Sequence, residues 1–134
     1  MPTSKREYEA LAGFRYALRE FLQFSEEAAK STGLTPRQHQ ALLAILAFPG
    51  REAATIGEVA TQLQIRPHSA VGLVDRLVAQ GLAGRHTDRA DRRQVYVSLT
   101  AKGRKLLEKL SAAHKAELTR LGPRLRDLLA ALEL

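Results

Sequence analysis

The chain has 134 residues, 45% of them hydrophobic, and its 21 Lys and Arg outweigh 14 Asp and Glu for a net charge of +7. That length accommodates one domain with a modest core, or an extended protomer that shares its core with a partner; the charge favours polyanionic partners, since each phosphate neutralised by Lys or Arg releases condensed counterions. The absence of cysteine excludes disulfides, thiolate metal sites and cysteine-based redox sensing within the chain and fits a reducing cytosol. No apolar run approaches the ~20 residues of a membrane span, and no hydrophobic signal core follows Met1 to Lys5, so a cytoplasmic protein with no membrane partner is expected.

The charge is uneven. Residues 1–30 carry five basic and five acidic side chains, so the whole excess comes from the rest, with sixteen basic and nine acidic, and the polyanion-facing part begins after the first helical segment. In residues 4–30, Tyr8, Leu11, Phe14, Leu18, Phe21 and Leu22 recur at three- and four-residue spacings, the stripe of an amphipathic helix. It holds three of the seven Phe and Tyr residues, a large apolar surface that needs something sizeable to pack against. Ser31-Thr32-Gly33 breaks this helix, and Thr35-Pro36 starts the next, with Thr35 as cap and Pro36 at the first helical position. Leu42, Leu43, Ile45, Leu46 and Phe48 make it strongly apolar until Pro49-Gly50 ends it.

Thr55-Ile56-Gly57-Glu58 has the form of a capping box and predicts a helix over 56–63, with Ile56, Val59, Ala60 and Leu63 pointing one way. A three-residue break, Gln64-Ile65-Arg66, precedes a helix opened by Pro67, with Ala70, Val71, Val74, Leu77 and Val78 inward and Gly81 as a left-handed stop. That break has the turn length of a helix-turn-helix. Residues 82–86 and 94–99 read as short strands, the second with Val95, Val97 and Leu99 on one face and Gln94, Tyr96 and Ser98 on the other. Between them lies the loop Asp88-Arg89-Ala90-Asp91-Arg92-Arg93. Arginines at the tip of a hairpin can reach phosphates or a narrow minor groove while the preceding helix lies in the major groove, so this order points to duplex DNA as partner.

Thr100 caps a final helix through Leu106, Leu107, Leu110, His114, Leu118 and Leu121, and Gly122-Pro123 predicts a break before a last helix with Leu125, Leu128, Leu129 and Leu132. The terminal helices carry more apolar surface than a small winged helix uses, so they are expected to form a homodimer interface, which a monomer in light scattering would refute. The predicted fold is therefore mainly α with a small β-hairpin wing: a winged helix-turn-helix over 35–99, flanked by helical dimerisation regions at 1–34 and 100–134 in a single intertwined domain.

The wing, its Val95-x-Val97-x-Leu99-Thr100-x-x-Gly103 continuation, and the segment Leu73-Val74-Asp75-Arg76-Leu77-x-x-x-Gly81-Leu82 resemble the MarR family of transcription regulators. The resemblance covers nearly the whole chain. It implies a homodimer on a pseudopalindromic operator, most simply a repressor, released by a small apolar or aromatic effector. On that footing Pro67, His68, Ser69 and Gly72 occupy the exposed early turns of the recognition helix, with His68 and Ser69 the base-reading candidates. Arg66 and Arg76 are assigned to phosphates. By similarity to the family Arg92 enters the minor groove, alongside Arg89 and Arg93 in the wing. Asp88 and Asp91 are expected to stabilise the wing, Asp91 by pairing with Arg93 so that Arg92 stays free. Gly72 departs from the larger polar or basic residue frequent there in the family, and so shifts specificity toward DNA shape.

Other chemistries find little in the residues. His39, His68, His86 and His114 fall on four separate elements without metal-ligand spacing, so no metal and no cofactor are expected, and His39 and His114 are assigned to polar lining of a helix face. Glu26, Glu27 and Asp75 read as surface charges. With no nucleophile elbow, phosphate loop or dinucleotide fingerprint, an enzyme is not expected. A winged-helix protein–protein module and a non-specific architectural DNA binder remain the alternatives. Selection of duplexes from a random pool would separate them from a sequence-specific regulator.

Overall fold

The computed structural model describes residues 2–132. Five helices and three short strands follow in the order α1 (Lys5–Ser31), α2 (Pro36–Leu46), β1 (Ala53–Ala54), α3 (Ile56–Leu63), α4 (Pro67–Ala79), β2 (Ala83–Thr87), β3 (Val95–Leu99) and α5 (Ala101–Ala131). They divide into two compact units, one over residues 29–110 and one formed by residues 1–28 with 111–134. The mainly helical, winged architecture expected from the sequence is what the chain adopts.

The helix starts follow local chemistry. Ser4 and Glu7 exchange side chain-to-backbone bonds at 2.9 and 3.1 Å, a capping box that opens α1. Thr35 with Gln38 and Thr55 with Glu58 do the same for α2 and α3, and the Thr100 hydroxyl accepts the Gly103 N–H at 3.1 Å to open α5. Each satisfies donors that the first helical turn leaves without an intrahelical partner.

Within the unit over 29–110, α2, α3 and α4 enclose a core of Leu42, Ile45, Val59, Val74 and Leu77, completed by Val97 from the sheet. The inward face of α4 is Ala70, Leu73, Val74 and Leu77; Val71, expected inside, is exposed, because Leu73 and not Val71 completes the i, i+3, i+4, i+7 stripe that starts at Ala70. The sheet has three strands where the sequence predicted two, in the order β1-β3-β2, all antiparallel. β1 is two alanines long and pairs only with Ser98 and Val97, too short to show a period. Val95, also expected inside with Val97 and Leu99, is exposed: it lies beyond the reach of β1, toward the loop.

Thr100 and Gly103 lock the start of α5 to the end of α4. The Thr100 hydroxyl donates to the Gly81 carbonyl at 2.6 Å, and its N–H donates to the Leu82 carbonyl at 3.1 Å. That same carbonyl oxygen would lie 2.0 Å from a Cβ placed on Gly103, so position 103 admits no side chain without backbone movement. Gly81 itself takes φ 74°, the left-handed stop that glycine adopts without strain.

In the other unit α1 meets the second half of α5 through small residues. Ala10 and Ala17 are buried, and a Cβ on Gly13 would lie 2.8 Å from Leu128 Cδ2. Glu20 pairs with Arg124 at 3.0 Å, and His114 bonds Ser25 at 2.8 Å between the edges of Phe21 and Phe24. The predicted break at Gly122-Pro123 does not occur: α5 runs through Pro123. Losing one backbone bond costs about 3 kcal/mol, but Leu121 is buried just before it, and Arg124 and Leu128 are held by α1 just after it. Tertiary packing overrides the local breaker.

Candidate nucleic-acid interface

The exposed start of α4 is the first part of the candidate site. Arg66, Pro67, His68 and Ser69 are all exposed, Arg76 projects two turns further along, and Gly72 lies half-buried between them. Arg66 occupies the N-cap position but makes no capping bond, so α4 differs from the other four helices in keeping its first-turn N–H groups without a side-chain acceptor among the described residues. Such a terminus carries partial positive charge and suits an anion.

A concavity of about 710 Å³ runs along this face, lined by Thr35, Pro36 and Arg37 of the α2 start and by His68, Ser69, Gly72 and Arg76 of α4, with Ile65 and Leu73 at its floor. Its lining contains two arginines and a histidine and no carboxylate. Arg37 was not singled out from the sequence, although the Thr35-Pro36 start places it in an exposed first turn. A Cβ on Gly72 would meet nothing within 4 Å, so the concave face has room for a side chain that this chain does not supply.

The wing is the second part. Its loop is shaped from within: the Asp88 N–H donates to the Gln94 carbonyl, and the Gln94 N–H to the Asp91 carbonyl, each at 3.0 Å. The Asp88 carboxylate accepts the Ala90 N–H at 2.9 Å, and the Asp91 carboxylate accepts the Arg93 N–H at 3.0 Å and its Nε at 3.2 Å. These are the bonds of Asx turns, in which a short carboxylate replaces a backbone acceptor. Arg89 and Arg92 flank a small hollow with Thr87 and Asp88, and Arg92 makes no ion pair among the described residues.

Asp75 is the surface charge expected from the sequence, and it also pairs with Arg85 of β2, which joins α4 to the wing. On the other strand, Tyr96 stacks on His86 at 6.1 Å and lies under the Arg51 guanidinium. Arg51 forks onto Glu58 with bonds of 3.0 and 2.6 Å. The fork, with the Thr55 N–H, holds the Glu58 carboxyl below the usual carboxylate range and raises the Arg51 guanidinium. Nothing in the spacing of Arg51, Glu58 and Tyr96 predicted this cluster, because their approach depends on the sheet register.

Lys102 and Arg104, just beyond the wing, are engaged within the protein: Lys102 Nζ donates to the Gln80 carbonyl at 3.1 Å, and Arg104 pairs with Glu52. His39 is buried in α2 and His114 lies inside the α1–α5 packing. Among the described residues no three His, Asp or Glu side chains gather as a metal site, and no helix is long and apolar enough to cross a membrane.

The sequence model of the MarR family matches residues 32–94, the stretch that holds α2, the helix-turn-helix and the wing loop. Over 94 residues the chain is 28% identical to the HTH-type transcriptional repressor MdtR of Bacillus subtilis (strain 168), an alignment spanning 70% of this chain and 59% of that repressor. Over this central stretch the chain is similar to the MarR family. Among solved MarR-type folds it resembles CouR from Rhodococcus jostii RHA1, bound to p-coumaroyl-CoA, with TM-score 0.67 and 27% identity over 84% of this chain and 83% of CouR. It also resembles a mutant MarR from E. coli complexed with operator DNA, with TM-score 0.70 and 23% identity over 89% of this chain and 84% of that one. The candidate residues from Arg66 to Arg93 all fall inside the matched stretch, whereas the Thr100–Gly103 lock lies beyond it.

Proposed function

We propose that this protein is a MarR-type, sequence-specific transcription regulator, most simply a repressor, acting as a homodimer on a pseudopalindromic operator. The observation that carries the reading is the pairing, in one compact unit, of a carboxylate-free cationic concavity on α4 with a wing whose Arg92 makes no ion pair among the described residues. His68 and Ser69 meet base edges in the major groove, next to Pro67 and Gly72. Arg66 and Arg76 hold phosphates, and Arg92, with Arg89 and Arg93, enters the adjacent minor groove. Asp88 and Asp91 keep the loop in shape. Gly72 offers no base contact, which leaves more of the discrimination to DNA shape.

Residues 1–34 and 100–134 hold the two copies together, and residues 35–99 meet the duplex. The exposed Tyr8, Leu11, Leu18 and Leu22 of α1 and Leu118 and Leu129 of α5 support this, since a soluble chain rarely leaves so many large apolar side chains uncovered. A small apolar or aromatic effector releases the duplex, a reading supported only as far as the aromatic acyl group of the p-coumaroyl-CoA bound to CouR; its leverage is limited to its affinity difference between the two states. The protein works in the cytoplasm and catalyses no reaction. Selection of bound duplexes from a random pool tests the proposal: half-sites with centres about 10 base pairs apart are expected. Recovery of unrelated sequences with equal affinity would replace it by a non-specific architectural role, and no recovery at low salt by a protein–protein module.

A further inference from the structure

The bonds inside the wing loop fix its shape but not its aim. Each of them joins two residues between Asp88 and Gln94, so the direction in which Arg92 points is set where the strands meet the rest of the unit. On β2 that anchor is the Arg85–Asp75 pair. On β3, the backbone ladder with β1 reaches only Val97 and Ser98, one residue short of Tyr96. Arg51 takes over there. Its guanidinium carbon lies 5.0 Å from the centroid of the Tyr96 ring and 4.1 Å from that of Phe48, and its fork holds the Glu58 carboxylate, which also accepts the Thr55 N–H at 2.8 Å. One planar cation thus ties the turn after α2, the first turn of α3 and the base of the wing, with Tyr96 paired across the ladder to His86. Lysine can form an ion pair but cannot fork and stack at once.

We infer that Arg51 is a positioning residue for DNA recognition, holding the wing at the angle from which Arg92 enters the minor groove while α4 lies in the major groove. The inference rests on the proposed DNA-binding reading. Holding the wing before the duplex arrives spares the ordering cost at binding, and an isolated two-stranded hairpin does not hold itself.

The test combines Arg51→Lys and Arg92→Ala in the full chain, with binding of a mixed-sequence duplex measured at one low salt concentration. In the wild-type background Arg92→Ala is expected to weaken binding about tenfold. In the Arg51→Lys background it should cost only about twofold, because a misaimed wing has already lost that contact. An equal factor in both backgrounds overturns the inference. Amide exchange gives a second reading that needs no DNA: Arg51→Lys should speed exchange at Asp88 and Gln94 by about tenfold and leave the core amides of α4 unchanged. Uniform acceleration means that Arg51 merely stabilises the fold, and no acceleration means that it does not hold the wing; either result overturns the inference. If Arg51→Lys does not fold, Tyr96→Leu, which keeps the ion pair, takes its place under the same outcomes. If the wild type binds no duplex, the functional reading fails and the exchange data alone decide whether Arg51 aims the wing.

Discussion

The two units of this chain solve opposite problems. In residues 29–110 most of the large apolar side chains are inside, as with Leu42, Ile45, Val59, Val74 and Leu77, with Leu43, Val71 and Val95 the exposed ones, and the concavity on α4 is cationic. In the α1–α5 unit only Ala10, Ala17 and Leu121 are fully buried apolar residues among those described, while Tyr8, Leu11, Tyr16, Leu18, Leu22, Leu118 and Leu129 are exposed. Small residues there let two helices approach closely, and the large residues face outward. A unit that buries its own core can spend its surface on charge; one that leaves its leucines outside depends on a second surface to cover them.

The largest effect is expected inside the self-contained unit. Gly103→Ala forces a Cβ to 2.0 Å from the Leu82 carbonyl oxygen, and the overpacking should cost about 3 kcal/mol or more, seen as a lower denaturant midpoint. A wild-type midpoint would show that α5 shifts freely and that the Thr100 lock is not rigid. Next comes the outward face of the other unit. Leu11→Asp with Leu22→Asp removes two exposed side chains, each worth about 1.5–3 kcal/mol if a partner buries it. The variant should keep its helical circular dichroism yet run as a monomer in light scattering, with weakened duplex binding. An unchanged mass would sever the exposed leucines from self-association.

Smaller effects sharpen the contrast. At Gly72 a Cβ has open space, so Gly72→Ala should stabilise the chain by about 0.5–1 kcal/mol through helix propensity, read as a higher thermal midpoint. The smallest effect separates two ion pairs. Arg51 holds the Glu58 carboxyl below its ordinary range, and Arg120 does the same for Glu117. In both cases the folded chain stays ionised where the unfolded chain would take up a proton. The stabilisation is therefore complete above the unfolded carboxylate value of about 4.3 and is lost as pH falls through the lower folded value. Glu58 spans separate segments, whereas the Glu117–Arg120 pair lies three residues apart on one helix surface, where such pairs contribute little. Glu58→Gln should flatten the acid limb of the stability curve more than Glu117→Gln; equal flattening would mean that Arg51 contributes no more than a surface cation.

Much of the fold was legible because its signals are local. The Thr55–Glu58 capping box, the Thr35-Pro36 start and Gly81 placed α3, α2 and the end of α4 close to where they lie, and the Asp91–Arg93 contact joins side chains two residues apart. The misses were all non-local. β1 exists only by pairing with β3; Val71 and Val95 face outward because of which elements do and do not cover them; and Arg37 joins the α4 concavity from a helix about thirty residues earlier in the chain.

The residue order by itself determined where helices start and stop, which loop carries the arginines, and which family the chain resembles, since caps, glycine stops and hydrophobic periods act within a few residues of one another. Only the tertiary structure decided that α5 continues through Pro123, that Asp75 binds Arg85, and that Arg51 joins three segments at the base of the wing. Those outcomes depend on side chains distant in sequence meeting in space, and packing energy at such meetings exceeds the local preferences that a sequence displays.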